Sequence, residues 1–453
     1  MTLQGPPFSR DQDLACAMRC IAAASCCAVV GVSNTGKSML LRALSTPEVR
    51  RHYLKSQAKD YALIYVDCNL MVELTEQGFY ELVLRSALTE LRALSASPDL
   101  ADRIGNLYHQ VVDSANPFLV PLGFNESIIA LSEGLERRVV FLFDEFDEPL
   151  LNIDERVFLN LRALKDRYGD RLAYVTATEA RLGKMRSGEA VSEFAELFAH
   201  NILFLTMLSE ADTHQLVAQF MSEVGVKVSP EDQAFVREQA GGHPGLTIAT
   251  CRMLAELGGG AAGLSDLSHR LVRENLDNDP NVQNECLKLW NDLTTGEQEV
   301  LMSLITHPRE ALPEGEQRSL TEKGILNSTN KSQRLFGRLF EDYVRRQKLL
   351  VGHAEGVRVD VESGNVWVDG ILAPTLTDLE YRLMLLLYGR LNKICDKYTI
   401  VESVWGEEYI EEVDDARIEK LLSRLRQKIE PDPSKPRYIT TVRGRGYRLT
   451  SSR

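Results

Sequence analysis

The stretch Gly31-Val32-Ser33-Asn34-Thr35-Gly36-Lys37-Ser38 decides the fold. The apolar run Cys26–Val32 leads into it, and Met39–Leu44 continues with helical periodicity. A strand, a glycine-rich turn and a helix in that order let backbone N–H groups curl around phosphate oxygens. Lys37 brings a point charge to the β/γ-phosphates, the Ser38 hydroxyl can ligate Mg²⁺, and the helix N-terminus adds its dipole. The expected nucleotide contacts are Gly31, Ser33, Asn34, Thr35, Gly36, Lys37, Ser38 and Met39, with ATP or ADP and Mg²⁺ as cofactors. A glycine-rich turn before an ordinary helix is the plainer alternative.

The second half of such a site is Val139-Val-Phe-Leu-Phe-Asp144-Glu145. Buried apolar residues ending in an acid put Asp144 at the carboxyl end of a central strand, where it can hold the Mg²⁺ shell together with Ser38. Glu145 is then placed to orient or deprotonate an attacking water and is the candidate catalytic residue. The competing reading is a strand capped by solvated acids, since Asp147 and Glu148 follow.

Working outward, short β-rich runs at 62–67, 139–144, 171–176 and 202–206 alternate with helical stretches such as Phe79–Leu94 and Val157–Lys165. Alternation of this kind predicts a parallel sheet covered on both faces, an α/β core that, with the phosphate loop and the Asp144-Glu145 pair, resembles the P-loop NTPases. After Leu208 the strand pattern stops. Four domains are expected: a nucleotide-binding domain at 1–208, a helical lid at 209–280, a small unit at 285–350 and a C-terminal domain at 351–453. In the third, Leu293-Thr-Thr-Gly-Glu-Gln-Glu299 carries a helix-start signature.

The chain has 453 residues and a formal net charge of −13. That total hides an asymmetry: residues 416–453 carry +8, leaving −21 on the rest. A local basic patch points to nucleic acid where the overall charge does not. The eight cysteines lack zinc or Cys-x-x-Cys spacing, so free thiols in a reducing cytoplasm are expected. No segment has the length and apolarity of a membrane span.

On a helix over 416–430, Ile418, Leu422, Leu425 and Ile429 share one arc and Arg417, Lys420, Arg424 and Lys428 another. The basic arc can enter a major groove. Beyond it, Tyr438–Val442 and Tyr447–Leu449 read as short strands around Arg443-Gly444-Arg445-Gly446. The glycines permit a tight turn, leaving Arg443 and Arg445 to meet phosphate or the minor groove. The predicted partner is double-stranded DNA.

The phosphate loop with its Asp144-Glu145 partner resembles AAA+ and STAND signalling ATPases. Gly241-Gly242-His243-Pro244 resembles the GxP motif of STAND proteins, which implies that His243 and Pro244 lie against the nucleotide. Phe8–Leu14 resembles, without its glycine, the segment that precedes the phosphate loop there. No sensor arginine is evident at the end of the strand at 171–178, although Arg181 is near, and no arginine finger can be named. Residues 285–350 resemble the small winged helix that follows the STAND ATPase. Residues 355–450 resemble the effector domain of OmpR-type response regulators, through Leu376-Thr-Asp-Leu-Glu-Tyr-Arg-Leu383, Val404-Trp-Gly406 and Pro436–Tyr447. Leu421 departs from that family, which often has histidine there. The loop Gly406–Asp415 holds six acids; in the resembling family it can touch RNA polymerase, and a solvated loop is the alternative.

These resemblances imply a helical lid and two winged helices after the ATPase core. They imply an ATP-controlled, sequence-specific transcription regulator with weak ATPase activity that self-associates in the ATP state as a homo-oligomer. The alternatives are a DNA-dependent AAA+ ATPase of initiator or transposition type, and a defence or signalling STAND NTPase.

Overall fold

A computed structural model describes residues 9–94, 96–257, 266–306, 312–329, 332–352, 356–359, 364–374, 376–406, 413, 415–442 and 444–450. The chain divides into two compact units, Met1–Tyr343 and Val344–Arg453.

The first unit opens with α1 (Asp11–Ala22), β1 (Cys27–Val30), α2 (Lys37–Ser45), α3 (Pro47–Leu54), β2 (Tyr61–Asp67) and α4 (Glu76–Ala93). It continues with α5 (Pro98–Val112), α6 (Leu119–Gly134), β3 (Arg138–Asp144), α7 (Asp147–Asn152), α8 (Arg156–Tyr168) and β4 (Leu172–Thr178). Then come α9 (Leu182–Met185), α10 (Glu189–Glu196) and β5 (Ile202–Phe204). All four strand pairings are parallel, in the order β2-β3-β4-β1-β5. Alternate residues feed opposite faces. Val139, Phe141 and Phe143 pack in one core layer, and Val140 and Leu142 in the other. Burial on both faces explains why these strands read as continuous apolar runs. Because the strands are parallel, the turns after β1 and β3 emerge at the same edge of the sheet. This is the P-loop NTPase fold.

Past β5 the unit is mostly helical: α11 (Glu210–Glu223), α12 (Pro230–Ala240), α13 (Pro244–Leu257) and α14 (Asp266–Leu276). Ser229 and Asp232 form a reciprocal cap at the start of α12. Next are α15 (Pro280–Asn291), α16 (Thr295–Thr306), α17 (Glu314–Glu322), the antiparallel pair β6 (Leu326–Thr329) and β7 (Ser332–Leu335), and α18 (Arg338–Gly352). The expected start of α16 is present. Glu297 accepts from Thr294 N at 2.7 Å, and Glu297 N donates to Thr294 Oγ1 at 3.3 Å. The division between the two units falls at 343/344, within α18.

The second unit has a three-stranded antiparallel sheet of β8 (Val357–Val359), β9 (Val366–Val368) and β10 (Ile371–Leu372). Helices α19 (Asp378–Gly389), α20 (Lys397–Val404) and α21 (Asp415–Ile429) follow, then the hairpin of β11 (Ile439–Val442) and β12 (Gly446–Leu449). The unit is a winged helix with its own core, in which Leu383, Leu387, Ile400, Leu425 and Leu449 are buried. Among the described residues no disulfide joins any of the eight cysteines, six of which are buried.

Candidate functional site

The loop between β1 and α2 has the backbone that its glycines permit. Gly36 stands at φ 97°, where L side chains are strained. At Gly31 a Cβ would come within 2.7 Å of the Leu205 carbonyl. Gly36 offers no side chain to cap α2, and no acid occupies its first turn, so that helix end is open to an anion. Lys37 is buried, and its Nζ donates to the carbonyls of Gly31 at 2.7 Å and Val32 at 3.3 Å. Met39 is 68% exposed.

Across the same sheet edge, Asp144 is buried. It accepts from Tyr65 OH at 2.5 Å and from Glu145 N at 3.1 Å. Burial, then Asp144, holds the Tyr65 hydroxyl above its ordinary value. Glu145 sits at φ 52° and accepts the Ser38 hydroxyl at 3.2 Å, so the two strand ends meet here. Burial first, then the Asp144 charge, pushes the Glu145 carboxyl up against the opposing pull of Lys37. A raised carboxyl beside the candidate metal ligands suits a general base. Asp147 Oδ2 is buried without a hydrogen-bond partner, an acceptor left over at this edge. The uncapped helix end, the buried cation and the orphaned acceptor fit a magnesium-bound nucleotide. Ser38 and Asp144 would hold the metal, which supplies charge neutralisation of the phosphates when bound.

His243 and Pro244 lie at the start of α13. Leu246 N donates to His243 Nδ1 at 3.2 Å, so the ring proton is on Nε2, which reaches Ser33 O at 3.1 Å. Burial holds this imidazole below its ordinary value and keeps it neutral. The helical region thus touches the phosphate loop through His243. Arg181, at the end of β4, is turned to Glu322 at 2.9 Å and covers the Phe204 ring.

Several site residues carried no clear sequence signal. Arg10 is buried and donates from Nη2 to Thr35 O at 2.5 Å and Thr206 O at 2.8 Å, tying the loop to the connector after β5. Only its place in the Phe8–Leu14 segment hinted at it. Asp292 and Glu285, from α15 and its C-terminal end, reach Ser33 and Asn34 across more than 250 residues of chain. Separation of that kind leaves no spacing to read.

In the second unit, α21 buries Ile418, Leu421, Leu422, Leu425 and Ile429. Asp415, Ala416, Arg417, Glu419, Lys420, Ser423, Arg424 and Gln427 are its exposed residues. Ser423 and Gln427 carry no charge, so a basic stripe in the sequence does not mark them. Lys428 does not join them: its Nζ donates to the buried Glu380 at 2.7 Å. Arg426 donates to Ile439 O at 2.7 Å, joining α21 to the hairpin. Glu430 accepts from the N–H groups of Arg437, Tyr438 and Ile439, which fixes the proline-rich connector. At the hairpin tip Gly444 has φ 72°, and Arg445 is exposed. At Gly446 a Cβ would come within 2.1 Å of Cys395 O. Arg443 and most of the acidic loop lie outside the described residues.

Residues 373–449 match the family described as "Transcriptional regulatory protein, C terminal". Over 96 residues the chain is 42% identical to the uncharacterized transcriptional regulatory protein YrkP of Bacillus subtilis, covering 21% of this chain and 41% of that protein. It spans about two fifths of the length of such curated relatives. Among solved structures, the DNA binding domain of CpxR from E. coli is similar to it at 25% identity. That match covers 22% of this chain and 96% of the other, with a TM-score of 0.19. The Walker-type ATPase PABY2304 of Pyrococcus abyssi is similar at 15% identity, covering 75% of this chain and 96% of the other, with a TM-score of 0.49. The C-terminal unit is therefore of the transcriptional-regulator type, on a chain whose first unit has the P-loop NTPase fold. Among the described residues no helix is long and apolar enough to cross a membrane.

Proposed function

We propose that the chain is an ATP-controlled, sequence-specific DNA-binding transcription regulator of STAND type. The observation that carries this reading is the C-terminal match to transcriptional regulators on a chain whose first unit has a phosphate loop and an Asp144–Glu145 pair. Gly31–Met39 would hold the nucleotide, and Ser38 and Asp144 would hold Mg²⁺, which neutralises phosphate charge when bound. Glu145 orients the attacking water, and weak hydrolysis serves as a reset. His243 and Pro244 report the state of the loop to the helical region, consistent with the His243–Ser33 contact. The unit at 285–350 acts as a structural winged helix.

DNA is read by Arg417, Lys420 and Arg424 on the exposed face of α21, with Arg443 and Arg445 on the wing. Such contacts combine base readout with phosphate positioning. ATP favours an open form that self-associates and sets several winged helices on repeated half-sites; ADP favours a closed monomer. The test measures particle mass and DNA retardation together with ATP, with ADP and without nucleotide. The expected result is larger particles and tighter DNA binding with ATP. Equal mass and equal DNA binding in all three conditions would refute nucleotide control.

A further inference from the structure

The phosphate loop is held by carboxylates as well as by the expected groups. Asp292 accepts the Ser33 N–H at 2.5 Å through Oδ2, and its Oδ1 lies 3.1 Å from Ser33 Oγ. Glu285 takes the Asn34 side-chain amide on both oxygens, at 2.9 and 2.7 Å. Both acids come from one short element, α15 and the residue that ends it.

Other contacts hold this element in place. Lys323 donates to Asp292 O at 2.9 Å, fixing the backbone that carries the carboxylate. Glu285 passes Gly245 so closely that a Cβ there would sit 2.2 Å from its Oε2. Gly245 belongs to the first turn of α13, where a carboxylate is favoured by the helix dipole.

Further acids converge on the same side of the loop. Glu179 Oε1 lies 3.4 Å from Ser33 Oγ, and Asp147 accepts Glu179 N at 2.8 Å. Burial first, then the Asp292 and Asp147 charges, pushes the Glu179 carboxyl up. Burial is also the main cause of the raised Asp147 carboxyl.

We infer that Asp292 and Glu285 form an anionic latch on the phosphate loop that discriminates nucleoside triphosphate from diphosphate. This rests on the nucleotide site proposed above. A carboxylate and a phosphate oxygen compete for the same N–H donor. The open end of α2 stays free in the latched state, so a diphosphate is accommodated there. The third phosphate must lie toward Glu145, which orients water at it, and therefore toward Asp147, Glu179 and Asp292. Adding its charge to converging carboxylates disfavours the latched arrangement, so triphosphate binding requires α15 to leave the loop.

The test compares the affinities of the full chain for ADP and for the β,γ-imido analogue of ATP. The variants are Asp292→Asn with Glu285→Gln, and separately Gly245→Ala, which crowds Glu285 without removing a charge. Both should tighten triphosphate binding relative to diphosphate, by roughly 5- to 150-fold for the double variant, the usual size of a coupling between sites. An unchanged triphosphate-to-diphosphate ratio in folded variants, with Lys37→Ala still abolishing both affinities, overturns the latch and leaves the nucleotide site standing. If the wild-type chain and the variants bind neither nucleotide, both readings fall.

Discussion

Lys420 and Lys428 belong to the same basic stripe in sequence, yet the structure leaves Lys420 exposed and pairs Lys428 with Glu380, and mutation separates the two. Lys428 Nζ sits 2.7 Å from Glu380, whose side chain is 4% exposed while that of Lys428 is 26% exposed. Lys428→Ala leaves Glu380 with its 2.8 Å bond from Thr377 N but no cation. A hydrogen bond to a charged group contributes about 1.5–3 kcal/mol. With the partial exposure of the lysine discounted, the loss is about 1–2 kcal/mol. For a domain of this size each kcal/mol moves Tm by about 4–8 °C, so a fall on the order of 5–15 °C is expected. Trp290→Phe provides the assay background. Of the three tryptophans it leaves Trp367 and Trp405, both in the second unit, so intrinsic fluorescence then reports the melting of that unit alone. Lys420→Ala should leave this transition in place. It should instead lower the salt slope of DNA binding by about 0.9, which is about 3.5-fold in affinity between 50 and 200 mM salt. The reasoning is refuted if Lys428→Ala melts like the wild type and lowers the slope as Lys420→Ala does.

Glu145→Gln keeps the shape of the site but removes the base. It should retain nucleotide binding while slowing hydrolysis by about 10²–10⁴-fold in single-turnover measurements. The wing double variant Arg443→Ala with Arg445→Ala should weaken binding to all DNA sequences alike and reduce the salt slope by up to ~2; an unchanged slope removes the wing from the interface. Acidification should loosen His243 from the first turn of α13, because a proton arriving on Nδ1 removes the acceptor that takes the Leu246 N–H. Burial lowers this imidazole's value, the Ser33 carbonyl and then the Glu285 and Asp292 charges oppose that only in part, and Arg10 adds to it. The contribution of the buried neutral ring is whole above the ordinary value of 6.5 and is lost as pH falls below it. Protection of the α13 amides relative to their intrinsic exchange rates should therefore fall between pH 7.5 and 5.5 in the wild type and stay flat in His243→Gln.

Much of this arrangement was legible because it rests on local rules. Strands buried on both faces must be apolar throughout, so β1, β3 and β4 stood out with ends correct to within two residues. The loop Gly31–Ser38 needs its glycines for backbone reasons, and the strand before it confirmed the context. The hairpin around Gly444 and Gly446 was likewise a matter of turn geometry. What stayed hidden depends on tertiary placement. The inward turn of Lys428 is decided by Glu380, 48 residues away, which periodicity on one helix does not register. Asp292 and Glu285 resemble any solvated acids until α15 is set against the loop. Arg181 was a candidate sensor by position alone, and its pairing with Glu322 directs it elsewhere.

The division of labour along α21 has an evolutionary consequence. Arg426, Lys428 and Glu430 hold the helix to the hairpin, to α19 and to the connector. Lys420, Ser423, Arg424 and Gln427, interleaved with them, face outward. Substitutions at exposed positions away from such contacts usually shift stability by no more than about 0.5 kcal/mol. On the proposed DNA-binding reading, those four positions can therefore change in single steps, each leaving a folded protein, while Arg426, Lys428 and Glu430 stay under separate selection.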